Sequence, residues 1–179
     1  KPEEIEAAKK KNHEPMQHHV GYDGIAIYVH KDNPIAQITI EQLKEIYGDG
    51  GKITKWSQLG VTIPGGDDDI VVVSRQTNSG TYEYFREATV GKKANMRLGT
   101  RDMNGSKDVV DLVSKVKPAI GYSGLSYSTT HVRMVPVVGK DGKPVPPSID
   151  AVLDHSYPIS RPLFMYTVGE PKGPVKQYL

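Results

Sequence analysis

The segment Ile70-Val71-Val72-Val73-Ser74-Arg75-Gln76-Thr77-Asn78-Ser79-Gly80-Thr81 decides the fold of this chain. Its four leading apolar residues predict a buried strand that is covered on both faces and pairs in parallel with its neighbours. Residues Tyr82, Phe85 and Ala88 then fall on one face of a helix. A short turn that contains Gly80 joins the two elements. The segment therefore predicts a strand–turn–helix unit of a layered α/β fold.

The rest of the chain alternates between strand patterns and helix patterns. Strands are predicted over residues 24–29, 119–125, 132–138 and 163–166, and a loop over residues 57–69. Helices are predicted over residues 3–11, from the capping box of Thr39 and Gln42 to Gly48, and from Ser106 as the N-cap to Pro118. This alternation predicts an α/β protein.

The composition excludes several classes of protein. The chain has 179 residues, a formal net charge of +2 and no cysteine, which rules out a disulfide-stapled scaffold, a thiol nucleophile and a cysteine-ligated metal site. The small net charge does not favour nucleic acid as a partner, because nucleic-acid-binding domains concentrate their basic residues. Every apolar run is shorter than the ~18–20 residues of a membrane span.

The turn after the strand has the features of an anion site. The first N–H groups of a helix have no intrahelical acceptor, and the helix dipole adds roughly half a positive charge there. Gly80 allows a ligand to approach the backbone, and Ser79 and Thr81 add hydroxyl donors. Arg75 adds a planar cation suited to a tetrahedral oxyanion. Because ligands of α/β sheets bind outside the carboxyl ends of the strands, the turn predicts a binding site for a small anion.

A purely structural interpretation of the same residues remains open at this point. Asn78 or Ser79 could serve only as the N-cap of the helix, and Arg75 could pair with a surface carboxylate. The turn also lacks the glycine and lysine spacing of nucleotide-binding loops. A small free anion is therefore favoured over a nucleotide.

Five pieces of the chain, taken in order, carry a family resemblance. They are residues 21–27, residues 38–46 with Trp56 beyond them, residues 72–85, residues 118–122 and residues 157–159. With these pieces the sequence resembles the phosphate-binding solute receptors of ABC transporters over most of the chain from residue 20 to residue 170. In that family the Arg…Ser-Gly-Thr turn binds the oxyanion. The resemblance implies that phosphate, or a similar tetrahedral oxyanion, is bound by Arg75, Ser79, Gly80 and Thr81.

The resemblance also implies a fold and a setting. It implies a periplasmic-binding-protein-like fold of two α/β lobes that close on the ligand, with residues 17–36 and 121–179 in the first lobe, 37–120 in the second, and 1–16 as a helix and linker. The opening segment of the family, with its first strand, its other ligand turns and its export signal, has no counterpart here, so an incomplete first lobe is expected. The implied partner is the membrane permease of an ABC importer. The implied location is periplasmic or extracellular, with or without a lipid anchor.

One position departs from the family pattern. Members of the family often carry an aspartate two residues after the arginine, where it accepts the proton of hydrogen phosphate, whereas this chain has Thr77. A hydroxyl either donates or accepts a hydrogen bond, and it does not repel a fully ionised anion as a carboxylate does. Thr77 is therefore expected to discriminate phosphate from sulfate less sharply.

Metal binding and catalysis are not predicted. Histidines stand at positions 13, 18, 19, 30, 131 and 155, but none has HxxxH or HExxH spacing, and His18 and His19 would point to opposite faces of a strand. Ser79 lacks the Gly-x-Ser-x-Gly environment of a catalytic serine. We expect no enzyme and no cofactor. The alternative to a transport receptor is an interaction or sensor fragment of the same fold, with a degraded or incomplete site.

Overall fold

The computed structural model describes residues 2–179, and Lys1, which belongs to the predicted helix and linker of residues 1–16, lies outside the described residues. The helices are α1 (Pro2–Lys10), α2 (Ile40–Tyr47), α3 (Gly80–Thr89), α4 (Ser106–Lys115), α5 (Ile149–Leu153) and α6 (Pro174–Tyr178). The strands are β1 (Pro15–His30), β2 (Ile38–Thr39), β3 (Val71–Arg75), β4 (Arg101–Met103), β5 (Ala119–Gly124), β6 (Val132–Val135), β7 (Val137–Val138), β8 (Pro144–Val145) and β9 (Ser160–Val168). The predicted α/β class is confirmed.

The chain divides into two compact units. One unit runs from Gly24 to Ser160, and the other combines the residues up to Asp23 with Arg161–Leu179. These bounds are not those of the two lobes that the resemblance implies. The division into lobes therefore stays a prediction.

The larger unit is built around a sheet with the strand order β4-β3-β5-β1-β6. Strand β3 is parallel to both β4 and β5, as the apolar pattern of residues 70–73 predicts. Strand β1 runs antiparallel to β5 and β6. In the register of β3 and β4, Arg75 lies opposite Met103. The strand–turn–helix unit therefore sits inside the sheet, with a parallel neighbour on each side of β3.

The core of this unit is formed by the second half of β1 and by the helix that packs on β5. The side chains of Ile25 to Val29 are all fully buried, so this predicted strand is covered on both faces. Helix α4 buries Val109, Val110 and Val113. A Cβ atom on Gly121 would lie 2.7 Å from Val109 Cγ1, so a glycine in β5 is what lets α4 approach the sheet this closely.

Helix α2 begins and ends where the sequence predicts. The Gln42 amide donates to Thr39 Oγ1 (3.0 Å), and the Thr39 amide donates to Gln42 Oε1 (2.9 Å). Two backbone donors of the first turn are thereby satisfied, which is the function of a capping box. Gly48 follows as the C-cap. The indole of Trp56 is fully buried and donates to the Pro118 carbonyl at 2.9 Å, so Trp56 packs within this unit.

Three local predictions are wrong. Residues 132–138 form two short strands rather than one, because Pro136, between β6 and β7, has no N–H to donate to a ladder. The N-cap of α4 is Gly105, whose amide donates to Asp108 Oδ2 at 2.9 Å, and Ser106 is the first helical residue. The predicted loop over residues 57–69 opens with a 3₁₀ helix, Trp56–Leu59.

The smaller unit pairs β9 with the first half of β1. Tyr166 donates to Gln17 Oε1 (2.7 Å), His18 Nε2 contacts Thr167 Oγ1 (2.8 Å), and Arg161 forms an ion pair with Asp23 (3.2 Å). Strand β9 leaves four consecutive apolar side chains half-exposed, at residues Leu163, Phe164, Met165 and Tyr166. Within residues 2–179 no helix has the length and apolar character needed to span a bilayer.

Candidate anion-binding site

The candidate site lies where the parallel strands of the larger sheet end. Strands β3, β4 and β5 run in the same direction, so their carboxyl ends share one edge of the sheet. Arg75 is the last residue of β3, and Met103 is the last residue of β4. The chain continues from β3 into the turn before α3 and from β4 into the turn before α4. Two helix N-termini therefore begin close to the end of β3.

Ser79 forms the N-cap of α3. Its Oγ accepts hydrogen bonds from the amides of Thr81 (3.2 Å) and Tyr82 (3.4 Å). Its own amide donates to the Gln76 carbonyl at 2.9 Å. Of the two N-cap candidates in the sequence, Asn78 and Ser79, the N-cap is Ser79. The hydroxyl uses its two acceptor positions for these amides, which leaves its hydrogen available to donate outward.

The Arg75 side chain is held by the turn that precedes α4. Its Nη1 donates to Ser106 Oγ at 2.8 Å, and its Nη2 donates to the Asn104 carbonyl at 2.9 Å. Among residues 2–179 the guanidinium pairs with a hydroxyl and a carbonyl and with no carboxylate, so the interpretation of Arg75 as a surface ion pair is wrong. Its Nε is buried without an acceptor. Within the described part of the chain, a full positive charge is therefore fixed at the strand edge without a carboxylate partner.

The side chain of Tyr122, which lies in β5, holds the backbone at the end of β3 through hydrogen bonds. Its hydroxyl accepts a hydrogen bond from the Arg75 amide (3.2 Å) and shares another with Ser74 Oγ (2.9 Å). Burial raises the pKa of Tyr122 to about 12, so the phenol stays neutral at physiological pH. The Phe85 ring of α3 stacks on Tyr122 with a centroid distance of 3.8 Å and an interplanar angle of 7°. Helix α3 and strand β5 are thereby fixed to each other beneath the turn.

The predicted ligand residues all lie on the turn or at its ends. Arg75, Ser79 and Thr81 are half-buried, whereas Thr77 and Gly80 are exposed. Sequence reasoning missed the residues that hold Arg75 in place, which are Asn104, Ser106 and Tyr122. Two of them, Asn104 and Ser106, come close to Arg75 because β4 pairs in parallel with β3, and no pattern in the sequence marks that pairing.

In the part of the chain that the structure describes, no three His, Cys, Asp or Glu side chains come together in a group that could hold a metal ion. The histidines of β1 instead have other contacts. The His19 ring packs edge-on against Tyr22 and Phe164, at centroid distances of 4.5 and 5.7 Å.

A parallel sheet that presents an arginine and a helix N-terminus at the carboxyl ends of its strands is typical of ligand-binding domains. The chain matches the PBP superfamily domain over residues 1–179 and belongs to that superfamily. The resemblance to phosphate-binding solute receptors that the sequence indicates is confirmed by its relatives, and so is the periplasmic-binding-protein-like fold.

Curated relatives carry phosphate-binding names. The chain is 36% identical to Protein SphX of Synechococcus elongatus over 176 residues, which cover 93% of this chain and 50% of that protein. It is 33% identical to the phosphate-binding protein PstS of Pseudomonas aeruginosa over 180 residues, which cover 96% of this chain and 55% of that protein. The chain thus spans about half the length of the curated relatives that it matches.

Similar proteins of solved structure are also described as phosphate-transport receptors. A protein of Clostridium perfringens described as a phosphate ABC transporter substrate-binding protein, with bound phosphate, has a TM-score of 0.79 and 35% identity, covering 99% of this chain and 66% of that one. An ABC-type phosphate transport receptor of Vibrio cholerae has a TM-score of 0.74 and 26% identity, covering 92% of this chain and 64% of that one.

Proposed function

We propose that this chain binds inorganic phosphate, or a similar tetrahedral oxyanion, as part of the substrate-binding component of an ABC importer. The observation that carries the proposal is the Arg75 guanidinium, which is anchored without a carboxylate beside the N-terminus of α3. The names of the relatives support the choice of phosphate as the anion. The chain acts by binding rather than by catalysis.

Each residue of the turn has a distinct role in this proposal. The two contacts of Arg75 leave one further hydrogen on each Nη for the anion. Ser79 donates its hydroxyl hydrogen, because its oxygen already accepts two amides. Gly80 and Thr81 lie in the first turn of α3, at the positive end of the helix dipole, which stabilises an anion, and Thr81 adds its hydroxyl as a donor. The exposed Thr77 hydroxyl sets the preference between protonated and fully ionised anions.

The setting of the protein is part of the proposal. By family resemblance, the anion is enclosed between two lobes and favours the closed state, because it contacts both lobes only when they are together. The partner is the membrane permease of the importer. The location is the periplasm or the cell exterior, with or without a lipid anchor.

Titration calorimetry of the chain with phosphate and with sulfate tests the proposal. We expect saturable binding of phosphate at one site per chain. Absence of binding by either anion up to millimolar concentrations would favour the alternative function, an interaction or sensor fragment with an incomplete site. Turnover of a generic phosphoester by this chain would contradict a binding role.

Replacing Thr77 by aspartate is expected to sharpen selectivity. A carboxylate accepts the proton of hydrogen phosphate but repels sulfate, and two unit charges 4 Å apart repel by about 1 kcal/mol even in water. The ratio of the sulfate Kd to the phosphate Kd, measured by calorimetry, should therefore rise at least about fivefold. Thr77→Asn, which adds an amide of the same shape without charge, is the control. If the ratio of the sulfate Kd to the phosphate Kd is equal in Thr77→Asp and Thr77→Asn, residue 77 does not contact the anion.

A further inference from the structure

The turn between β4 and α4 is the part of the structure that decides where the Arg75 charge lies. Ser106 Oγ and the Asn104 carbonyl accept from different nitrogens of the guanidinium, at 2.8 and 2.9 Å. The two contacts fix both the plane and the position of the Arg75 guanidinium. A single contact would leave the group free to rotate about the bond that it makes.

Ser106 is itself held by the core of the larger unit. It is the first residue of α4, and its carbonyl accepts from Ser123 Oγ at 3.2 Å. Ser123 is fully buried in β5. The contacts of Ser106 therefore connect the Arg75 side chain to α4 and β5. Neither element belongs to the turn between β3 and α3, which is called the anion turn below.

An arginine side chain is among those that lose the most rotamer entropy when they are immobilised. A guanidinium that is already fixed before the anion arrives does not lose this freedom on binding, so more of its attraction for the anion is realised as affinity. Helix α3 does not provide this anchor, since the guanidinium donates to the turn before α4, at Asn104, and to the first residue of α4, Ser106.

We propose that Ser106 is a positioning residue of the anion site, which preorganises the Arg75 guanidinium for a tetrahedral oxyanion through its side-chain oxygen. This inference rests on the proposed function and extends it to a residue outside the Arg…Ser-Gly-Thr turn. The hydroxyl is required because it accepts a hydrogen bond from the cation, which a methyl group does not. Threonine keeps the hydroxyl at the same position and preserves the role.

The experiment compares Ser106→Ala with Ser106→Thr in the full chain. Because the guanidinium in Ser106→Ala must lose rotamer freedom when the anion binds, we expect this variant to weaken phosphate binding by about tenfold in calorimetry. Ser106→Thr should remain within about twofold of the unaltered chain, as neutral substitutions do. The matched control is Ser114→Ala, which removes a hydroxyl from the exposed end of the same helix, where it donates to the Asp111 carbonyl.

A double-mutant cycle separates positioning from general damage to the site. If Ser106 acts through Arg75, then adding Ser106→Ala to Arg75→Ala should cause no further loss of phosphate affinity. A further loss of the same size as in the single variant would mean that Ser106 acts independently of Arg75, and it would overturn the inference. Thermal unfolding of every variant shows whether a loss of affinity reflects a loss of the fold.

A second measurement does not depend on ligand binding. The Arg75 Nε–H is buried without an acceptor, so its hydrogen exchange, followed by NMR of the arginine side chains, reports whether the guanidinium stays in place. We expect exchange to accelerate in Ser106→Ala and to stay slow in Ser106→Thr. Normal phosphate affinity together with slow exchange in Ser106→Ala would overturn the role of Ser106 but leave the proposed function intact. Failure of the unaltered chain to bind phosphate would overturn the proposed function and the recognition role of Ser106 with it.

Discussion

Replacing Arg75 by alanine is expected to weaken phosphate binding by more than about tenfold. The substitution removes a cation whose hydrogen bonds to an anion contribute about 1.5–3 kcal/mol, and every 1.4 kcal/mol is about tenfold in Kd. It also leaves Ser106 Oγ and the Asn104 carbonyl without their donor. Calorimetric titration of the variant with phosphate measures the loss directly, and an unchanged Kd would refute the role of Arg75.

The matched control is Arg101→Ala. Arg101 is exposed and lies in β4 opposite Val73, two residues before the position that pairs with Arg75. Its removal takes away the same charge without touching the turn. Together with Arg97 it lines a separate surface cavity of about 390 Å³. A loss of phosphate affinity in Arg101→Ala, with normal affinity in Arg75→Ala, would show that phosphate binds in that cavity and not at Arg75.

Local patterns were sufficient to predict the elements that carry the site. The apolar run of residues 70–73 predicts β3 because a strand buried on both faces needs apolar residues in succession. Asn78 or Ser79 is predicted as the N-cap because side chains of both types reach the amides of the next turn, and in the structure the Ser79 hydroxyl accepts from those amides. Features of this kind depend only on residues a few positions apart.

The anchor of Arg75 could not be predicted in the same way. Its contact with Ser106 joins residues separated by 31 positions, and it exists only because β4 pairs in parallel with β3. Strand β4 has only three residues, two of them charged, so no apolar pattern marks it in the sequence. The nearby Ser106 was predicted as a cap for its own helix, whereas Gly105 takes that place and frees the hydroxyl for Arg75.

The division of the chain into units depends on pairing that is still more distant. Strand β1 joins the sheet of the larger unit with its second half and pairs with β9 in the smaller unit. Its sequence shows a buried strand only over residues 24–29, because the earlier residues are half-buried or exposed and form no apolar run. The apolar pattern therefore identifies the half of β1 that is buried, and it does not identify the half that pairs with β9.

An aromatic cluster links the anion turn to the core of the larger unit. Phe85 stacks on Tyr122 at 3.8 Å and meets Tyr47 edge-on at 4.9 Å, and the two tyrosine rings are 5.5 Å apart. All three side chains are fully buried. The Tyr47 hydroxyl donates to the Ile120 carbonyl at 3.1 Å, and burial raises its pKa well above the usual value. The cluster therefore joins α2, α3 and β5 directly beneath Arg75.

Replacing Phe85 by alanine is accordingly expected to destabilise the fold by about 3–5 kcal/mol, the cost of removing a buried phenylalanine ring and leaving a cavity. For a chain of this size each kcal/mol lowers Tm by about 2–4 °C, so calorimetric unfolding should show a decrease of roughly 10 °C. Leu98→Ala, at a side chain that is 94% exposed, is the control and should leave Tm unchanged. Because Tyr122 positions the Arg75 amide, phosphate affinity should fall in Phe85→Ala even at temperatures where the variant is folded. A variant that keeps both its Tm and its affinity would show that the turn is held by other contacts.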